Sequence, residues 1–98
     1  MAKKIEWTES SILDRLKIYR FWEENNKSNS YSLKLDRLFN DSAKLISKFP
    51  MIGTKTDFGD VKVKVIRGYK LFYLKQEETI QILRVWDTRQ NPENLEFP

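Results

Sequence analysis

Ninety-eight residues, 40% of them apolar and 33% charged, describe one globular domain over residues 1–98 and exclude a disordered, fibrous or multidomain chain. With no cysteine and no histidine, disulfides, thiolate chemistry, histidine triads and zinc sites are excluded, and neither metal nor other cofactor is expected; any chemistry would rest on Lys, Arg, Tyr, Asp or Glu. The net charge of +4, from 18 basic and 14 acidic residues, is too small by itself to argue for an acidic partner, so its distribution matters more.

The stretch KKIEW, residues 3–7, predicts a short strand with Ile5 and Trp7 on one face. No apolar run follows its lysines, so it does not read as a secretory signal. The longest apolar runs, such as residues 71–74, fall far short of the roughly 20 residues of a membrane span. A cytoplasmic location with no membrane partner is therefore expected. From Thr8 the period changes. Residues 8–11 offer the N-cap hydroxyls of Thr8, Ser10 and Ser11, Ser11 and Asp14 fit a capping box, and Ile12, Leu16, Tyr19 and Trp22 recur at helical intervals, predicting a helix over residues 9–25 with that stripe in the core. The polar loop NNKSNS, residues 25–30, leads to the clearest amphipathic pattern of the chain, Tyr31, Leu35, Leu38, Phe39, Ser42, Leu45, Ile46 and Phe49, which Pro50 ends. So short a loop folds the two helices into an antiparallel hairpin.

After the connector MIGTKTDFGD, VKVKVI alternates apolar and basic residues, with Val61, Val63 and Val65 facing one way and Lys62 and Lys64 the other. Arg67 and Gly68 make a turn into YKLFYLK, and QEE turns into TIQILRVW. The order β-α-α-β-β-β predicts an α+β fold: a twisted, mainly antiparallel sheet with the N-terminal helical hairpin packed on one face. Phe72 and Trp86 are expected to be packing residues. Lys62 and Lys64, with Lys70 and Arg84, are expected on the uncovered face.

Two features carry the functional question. Residues 61–76 hold Lys62, Lys64, Arg67, Lys70 and Lys75 and no acid. This is either a solvated sheet face or a surface that meets phosphates. The last strand then ends in the polar cluster Asp87, Thr88, Arg89, Gln90, Asn91 and Pro92. Arg89 either pairs with Asp87 or Glu93 to tie the tail down, a surface pair worth only ~0–1 kcal/mol, or presents a working surface at the strand end. RNA cleavage without histidine or metal would need Asp87 as base and Lys62, Lys64, Arg67 and Arg89 as catalytic cations. An ordinary aspartate, with a pKa of ~3.9, is a weak base for that task.

Three stretches together resemble the RelE/ParE superfamily of type II toxin-antitoxin toxins. They are LISKFPMIG at the end of the second helix, with the family's Leu, Pro and Gly spacing, GYKLFYL, and TIQILRVWDTRQNPENL, and the likeness runs over about residues 5–95. The last is similar to a ParE-type ending of pattern His-x-Arg-x-x-Pro-Glu: Arg89, Pro92 and Glu93 match, and Asp87 stands where many members have histidine. Where the ribonuclease branch places a catalytic arginine in the first hairpin strand, this chain has Val65, flanked by Lys64 and Arg67. That branch's C-terminal tyrosine also has no counterpart, since Phe97 is the one aromatic after Trp86. The resemblance implies a growth-arresting toxin that grips and stalls DNA gyrase, with Arg89 at its functional edge, or alternatively a ribosome-dependent mRNA endonuclease; Lys62, Lys64, Arg67, Lys70, Arg84 and Arg89 are the candidate target- or nucleic-acid-binding residues. In either case it implies a cognate antitoxin whose tail folds over the toxin.

Overall fold

The computed structural model describes residues 2–98. Strand β1 (Lys4–Trp7) precedes helices α1 (Glu9–Asn26) and α2 (Ser30–Lys48). A 3-10 turn (Pro50–Ile52) then leads to β2 (Thr54–Lys55), β3 (Lys62–Ile66), β4 (Tyr69–Lys75) and β5 (Thr79–Asp87), and a second such turn (Pro92–Asn94) lies in the tail. The sheet order is β1-β5-β4-β3-β2. All neighbours are antiparallel except β1 and β5, which run parallel with Lys4 opposite Thr79 and Trp7 opposite Ile82. The expected α+β order is present, with β2 as an added two-residue edge strand. Among the described residues no helix is long and apolar enough to cross a membrane.

Thr8, not Ser11, caps α1: its hydroxyl accepts from the Ser11 amide at 3.2 Å and reaches the Ile82 carbonyl at 2.9 Å. One side chain thus starts the helix and pins that start to β5, and the cap alone is worth about 1 kcal/mol. Ser11 is fully buried against the sheet, and Asp14, the expected second half of a capping box, serves elsewhere. The predicted stripe of α1 is corrected as well. Ile12 and Leu16 are 46% and 52% exposed, and the helix buries Ser11 and Ile18 with Asp14, Arg15, Tyr19 and Trp22 half-buried beside them. Apolar side chains recur on two sides of this helix, so periodicity alone did not reveal which side the sheet takes. In α2 one side dominates, and Leu35, Phe39, Ala43 and Ile46 are buried with Ile66, Tyr69, Leu71, Tyr73, Ile80, Ile82 and Val85 of the sheet.

Between these layers sits a polar knot. Arg15 donates from Nε to the Tyr19 hydroxyl at 2.9 Å and from Nη2 to Asp36 at 2.7 Å and Asn40 at 3.2 Å, while its guanidinium lies 4.2 Å from the Trp7 ring centre. It therefore joins α1, α2 and β1 in one arrangement.

A bulge in β5 decides what reaches the functional end. Phe72 pairs with Arg84 but Tyr73 pairs with Ile82, leaving Leu83 as an extra residue. Ile80 and Ile82 face the helices, and without the bulge residues 84 and 86 would follow them. With it, Val85 and Asp87 take the helix side, and Leu83 and Trp86 join Phe72 in a second cluster on the opposite face.

The face opposite the helices is not bare, and Lys62 and Lys64 are not on it. In register they oppose Tyr73 and Leu71, whose side chains enter the helix-side core, so both lysines emerge beside the helices. Val61 and Val63 face the second cluster, together with Leu74 and the tail residues Leu95 and Phe97. The sequence alternation was read correctly, but the side given to each set was inverted, because the apolar tail that covers the second face supplies valine with a core of its own.

Candidate functional site

At the C-terminal end of β5, on the helix side, a cleft of about 210 Å³ is lined by Asp14, Lys17, Ile18, Phe21, Tyr69, Val85, Asp87 and Gln90. β1 ends at Trp7, opposite Ile82, so the remainder of β5 has no strand beside it on that edge. Asp14 occupies the edge instead. Its carboxylate accepts from the Val85 amide at 3.0 Å and from Nε and Nη2 of Arg84 at 2.7 and 2.8 Å. A carboxylate from a helix thus satisfies a strand amide that would otherwise face the cleft unpaired.

Beyond β5 the chain turns sharply. The Asp87 carboxylate accepts from the Arg89 amide at 2.9 Å, from its Nε at 3.0 Å and from its Nη2 at 2.7 Å. Thr88 ties the turn to the β3–β4 hairpin, donating from both amide and hydroxyl to the Gly68 carbonyl at 3.0 and 2.9 Å. Asp87 is the better shielded partner, with 16% of its side chain exposed against 59% for Arg89. The Arg89 guanidinium holds the Asp87 carboxyl below the usual carboxylate range, outweighing the opposite effect of burial.

The arginine rests on aromatic rings. Its guanidinium carbon lies 5.4 Å from the Phe21 ring centre and 5.7 Å from that of Trp22, which meet edge-to-face. Trp22 donates from its indole nitrogen to the Tyr69 hydroxyl at 2.7 Å, and burial pushes the Tyr69 phenol up. Tyr69 in turn packs edge-on against Phe39 of α2. Arg89 is therefore a positioned cation: a carboxylate fixes it on one side, aromatic faces steady it on another, and more than half of its side chain remains in solvent.

The other candidate residues do not converge on this point. Lys62 and Lys64 lie on the helix side of β3, with buried Leu71 and Val85 between Lys64 and the cleft. Lys70 opposes Val65 and Trp86 and so projects on the second face. Arg67 stands in the hairpin turn at a left-handed φ of 56°. Arg84, expected as a free cation of the open face, is held by Asp14 and by a 2.7 Å bond to the Glu96 carbonyl.

Sequence reasoning missed Asp14, Phe21 and the Trp22–Tyr69 link. A signal for the first was present: an acid one turn before Ile18 on the inward side of a helix, matched by an arginine between Leu83 and Val85. Phe21 stands off the i, i+4 stripe, and nothing in the periodicity marks it as a support for an arginine 68 residues later.

The sequence matches, over residues 5–92, the family described as ParE toxin of type II toxin-antitoxin system, parDE. No curated protein matches it. Among solved structures, the chromosomal ParDE TA system from P. aeruginosa is similar at 16% identity and a TM-score of 0.78, covering 90% of this chain and 98% of that one. That likeness bears on the fold, which carries the same two-helix, open-sheet architecture, and the match over residues 5–92 bears on descent: the chain belongs to the ParE toxin family of type II toxin-antitoxin systems.

Proposed function

We propose that the protein arrests growth by binding, as a ParE-like inhibitor that grips DNA gyrase through the strand-end surface around Arg89, and that a cognate antitoxin neutralises it in the cytoplasm. The observation that carries this reading is the state of Arg89, held bidentately by Asp87 over Phe21 and Trp22 and still 59% exposed at its side chain. A pre-oriented arginine on an aromatic support suits a protein interface, where arginine and aromatic anchors dominate affinity.

Catalysis finds less support. A general base must be free to take a proton, but both Asp87 oxygens accept from Arg89, and its pKa lies below the ordinary range, so it is a poorer base than a free aspartate. Lys62, Lys64, Arg67, Lys70 and Arg84 are distributed over two faces and a turn, whereas phosphorane stabilisation needs cations that converge. One observation favours the ribosome-dependent mRNA endonuclease as a second reading. Lys55 stands directly opposite Lys62 across β2 and β3, with Lys64 on the same side, and such like-charge neighbours suit an anionic partner.

The test is a supercoiling assay with purified gyrase, run beside labelled thymidine and amino-acid incorporation after induction. Arg89→Ala is expected to weaken gyrase inhibition at least about tenfold, the usual cost of an interface anchor, with only a small fall in thermal midpoint from the lost Asp87 pair. Thymidine incorporation should fall first. If amino-acid incorporation falls first and gyrase is unaffected, the endonuclease reading replaces this one.

A further inference from the structure

The cleft at the end of β5 offers a partner hydrogen-bond donors more than acceptors. Asp14 and Asp87 line it, but each accepts three hydrogen bonds already: Asp14 from the Val85 amide and from Nε and Nη2 of Arg84, Asp87 from the amide, Nε and Nη2 of Arg89. Each acid is also matched by its own arginine, so Lys17 is left as the uncompensated charge of the lining. Among the described residues Lys17 has neither an ion pair nor a hydrogen bond. Tyr69 adds a donor of another kind. It is 3% exposed and lines the cleft, and its hydroxyl accepts from the Trp22 indole at 2.7 Å. A phenol also has a proton to give. Among the described residues that proton has no acceptor, and the cleft is the open volume beside it.

We propose that this cleft receives a carboxylate side chain of the target protein, with the Tyr69 hydroxyl and the Lys17 ammonium as its donors and Arg89 at the rim. The proposal rests on the reading that the surface around Arg89 meets the target, and adds what the cleft beside that arginine holds. Ile18, Phe21 and Val85 supply apolar walls, which suit the methylenes of a glutamate better than a bare oxyanion. Phosphate is the poorer occupant, because it brings about −1.5 to −2 charges at neutral pH, and Asp14 and Asp87, even when paired, oppose a second negative charge more than a first. A cation is poorer still. Three of the roughly four lone-pair sites on each acid are already taken, so a guanidinium or ammonium would find too few acceptors and would face Lys17. A carboxylate gives the buried phenol the acceptor that the fold does not supply.

The probe is N-acetylglutamic acid α-amide, with N-acetylglutamine amide as its uncharged counterpart, titrated into the full-length protein and followed by NMR. Gyrase takes no part, so a failed supercoiling assay bears on the target and a failed titration on the cleft. The charged probe should bind weakly, with a Kd of about millimolar order for so few atoms, and more weakly still as salt is raised. It should move the Lys17 signals, and the Trp22 indole signal through the hydrogen bond that this nitrogen shares with Tyr69. The glutamine counterpart should bind at least about fivefold more weakly. Tyr69→Phe should weaken the charged probe at least about tenfold, the weight of a hydrogen bond to a charged group. Should that variant lose its fold, Lys17→Gln, on the exposed surface of α1, carries the test: it should weaken binding about threefold, and Lys17→Arg should restore it. Equal affinity for the two probes, unchanged affinity in the folded variants, or shifts confined to the lysines of β3 would overturn the proposal. So would inorganic phosphate that moves the Trp22 and Lys17 signals at lower concentration than the charged probe.

Discussion

A single hydroxyl joins two of the motifs that mark this family in the sequence. Tyr73, fully buried in β4, donates to the Pro50 carbonyl at 2.7 Å and accepts from the Gly53 amide at 2.9 Å. The Pro and Gly of LISKFPMIG are thus spaced by what one phenol in GYKLFYL can reach. Gly53 also has no room for more: a Cβ there would lie 2.5 Å from the Tyr73 hydroxyl. Tyr73→Phe leaves a carbonyl and an amide without their partner and should cost about 1–2 kcal/mol in urea unfolding. Gly53→Ala should cost about 1–3 kcal/mol by overpacking. The double variant should cost less than the sum, because the phenylalanine removes the nearest clash; strict additivity would mean that these residues do not meet.

Among the elements, β5 carries most of the consequences. Its first half is covered by β1, and its second half is closed by a carboxylate of α1. Asp14→Ala exposes the Val85 amide and leaves the Arg84 guanidinium, 18% exposed at its side chain, without its carboxylate, so a loss of about 2–4 kcal/mol is expected in chemical denaturation. Asp14→Asn, which retains an acceptor for the amide, should recover part of it. A cost below about 0.5 kcal/mol would show that the edge is served by water instead. The element order was legible in the sequence because α2 and the three hairpin strands each repeat one period over many residues. What was not legible has local physical causes. The two-residue β2 is too short to show a period, and α1 is apolar on two sides. The bulge at Leu83 shifts the facing of every later residue without a glycine to announce it. At the candidate site the sequence marked Arg89 through its surrounding motif, but its supports come from α1, far away in the chain, where only folding brings them together.

For the whole molecule, stability should fall off earlier in alkali than the absence of histidine or cysteine suggests. Burial raises the phenols of Tyr19, Tyr69 and Tyr73, that of Tyr19 to about 12. The unfolded chain releases these protons near pH ~10 while the folded chain keeps them, so their contribution is complete below pH ~10 and is lost as pH rises through the folded values. Thermal midpoints should therefore decline from about pH 10 upward, and Tyr19→Phe should flatten that decline. At the acid end the sign reverses. Asp87 has a lowered pKa, so its contribution is present above the ordinary carboxylate value and is lost as pH falls through the lower folded one. A carboxyl titration by NMR would check it, with Asp87 as one of the last aspartates to protonate.

The parallel pairing of β1 with β5 also sets an order in time. Lys4 finds its neighbour at Thr79, so nearly the whole chain must exist before its first strand has anywhere to sit. Contacts so distant in sequence slow folding, because the chain between residues 4 and 79 must be ordered before they form. Until β5 is in place, the helical hairpin lacks the strand it packs on and Phe21 and Trp22 have no Arg89 above them. The surface around Arg89 is consequently among the last parts of the fold to be assembled.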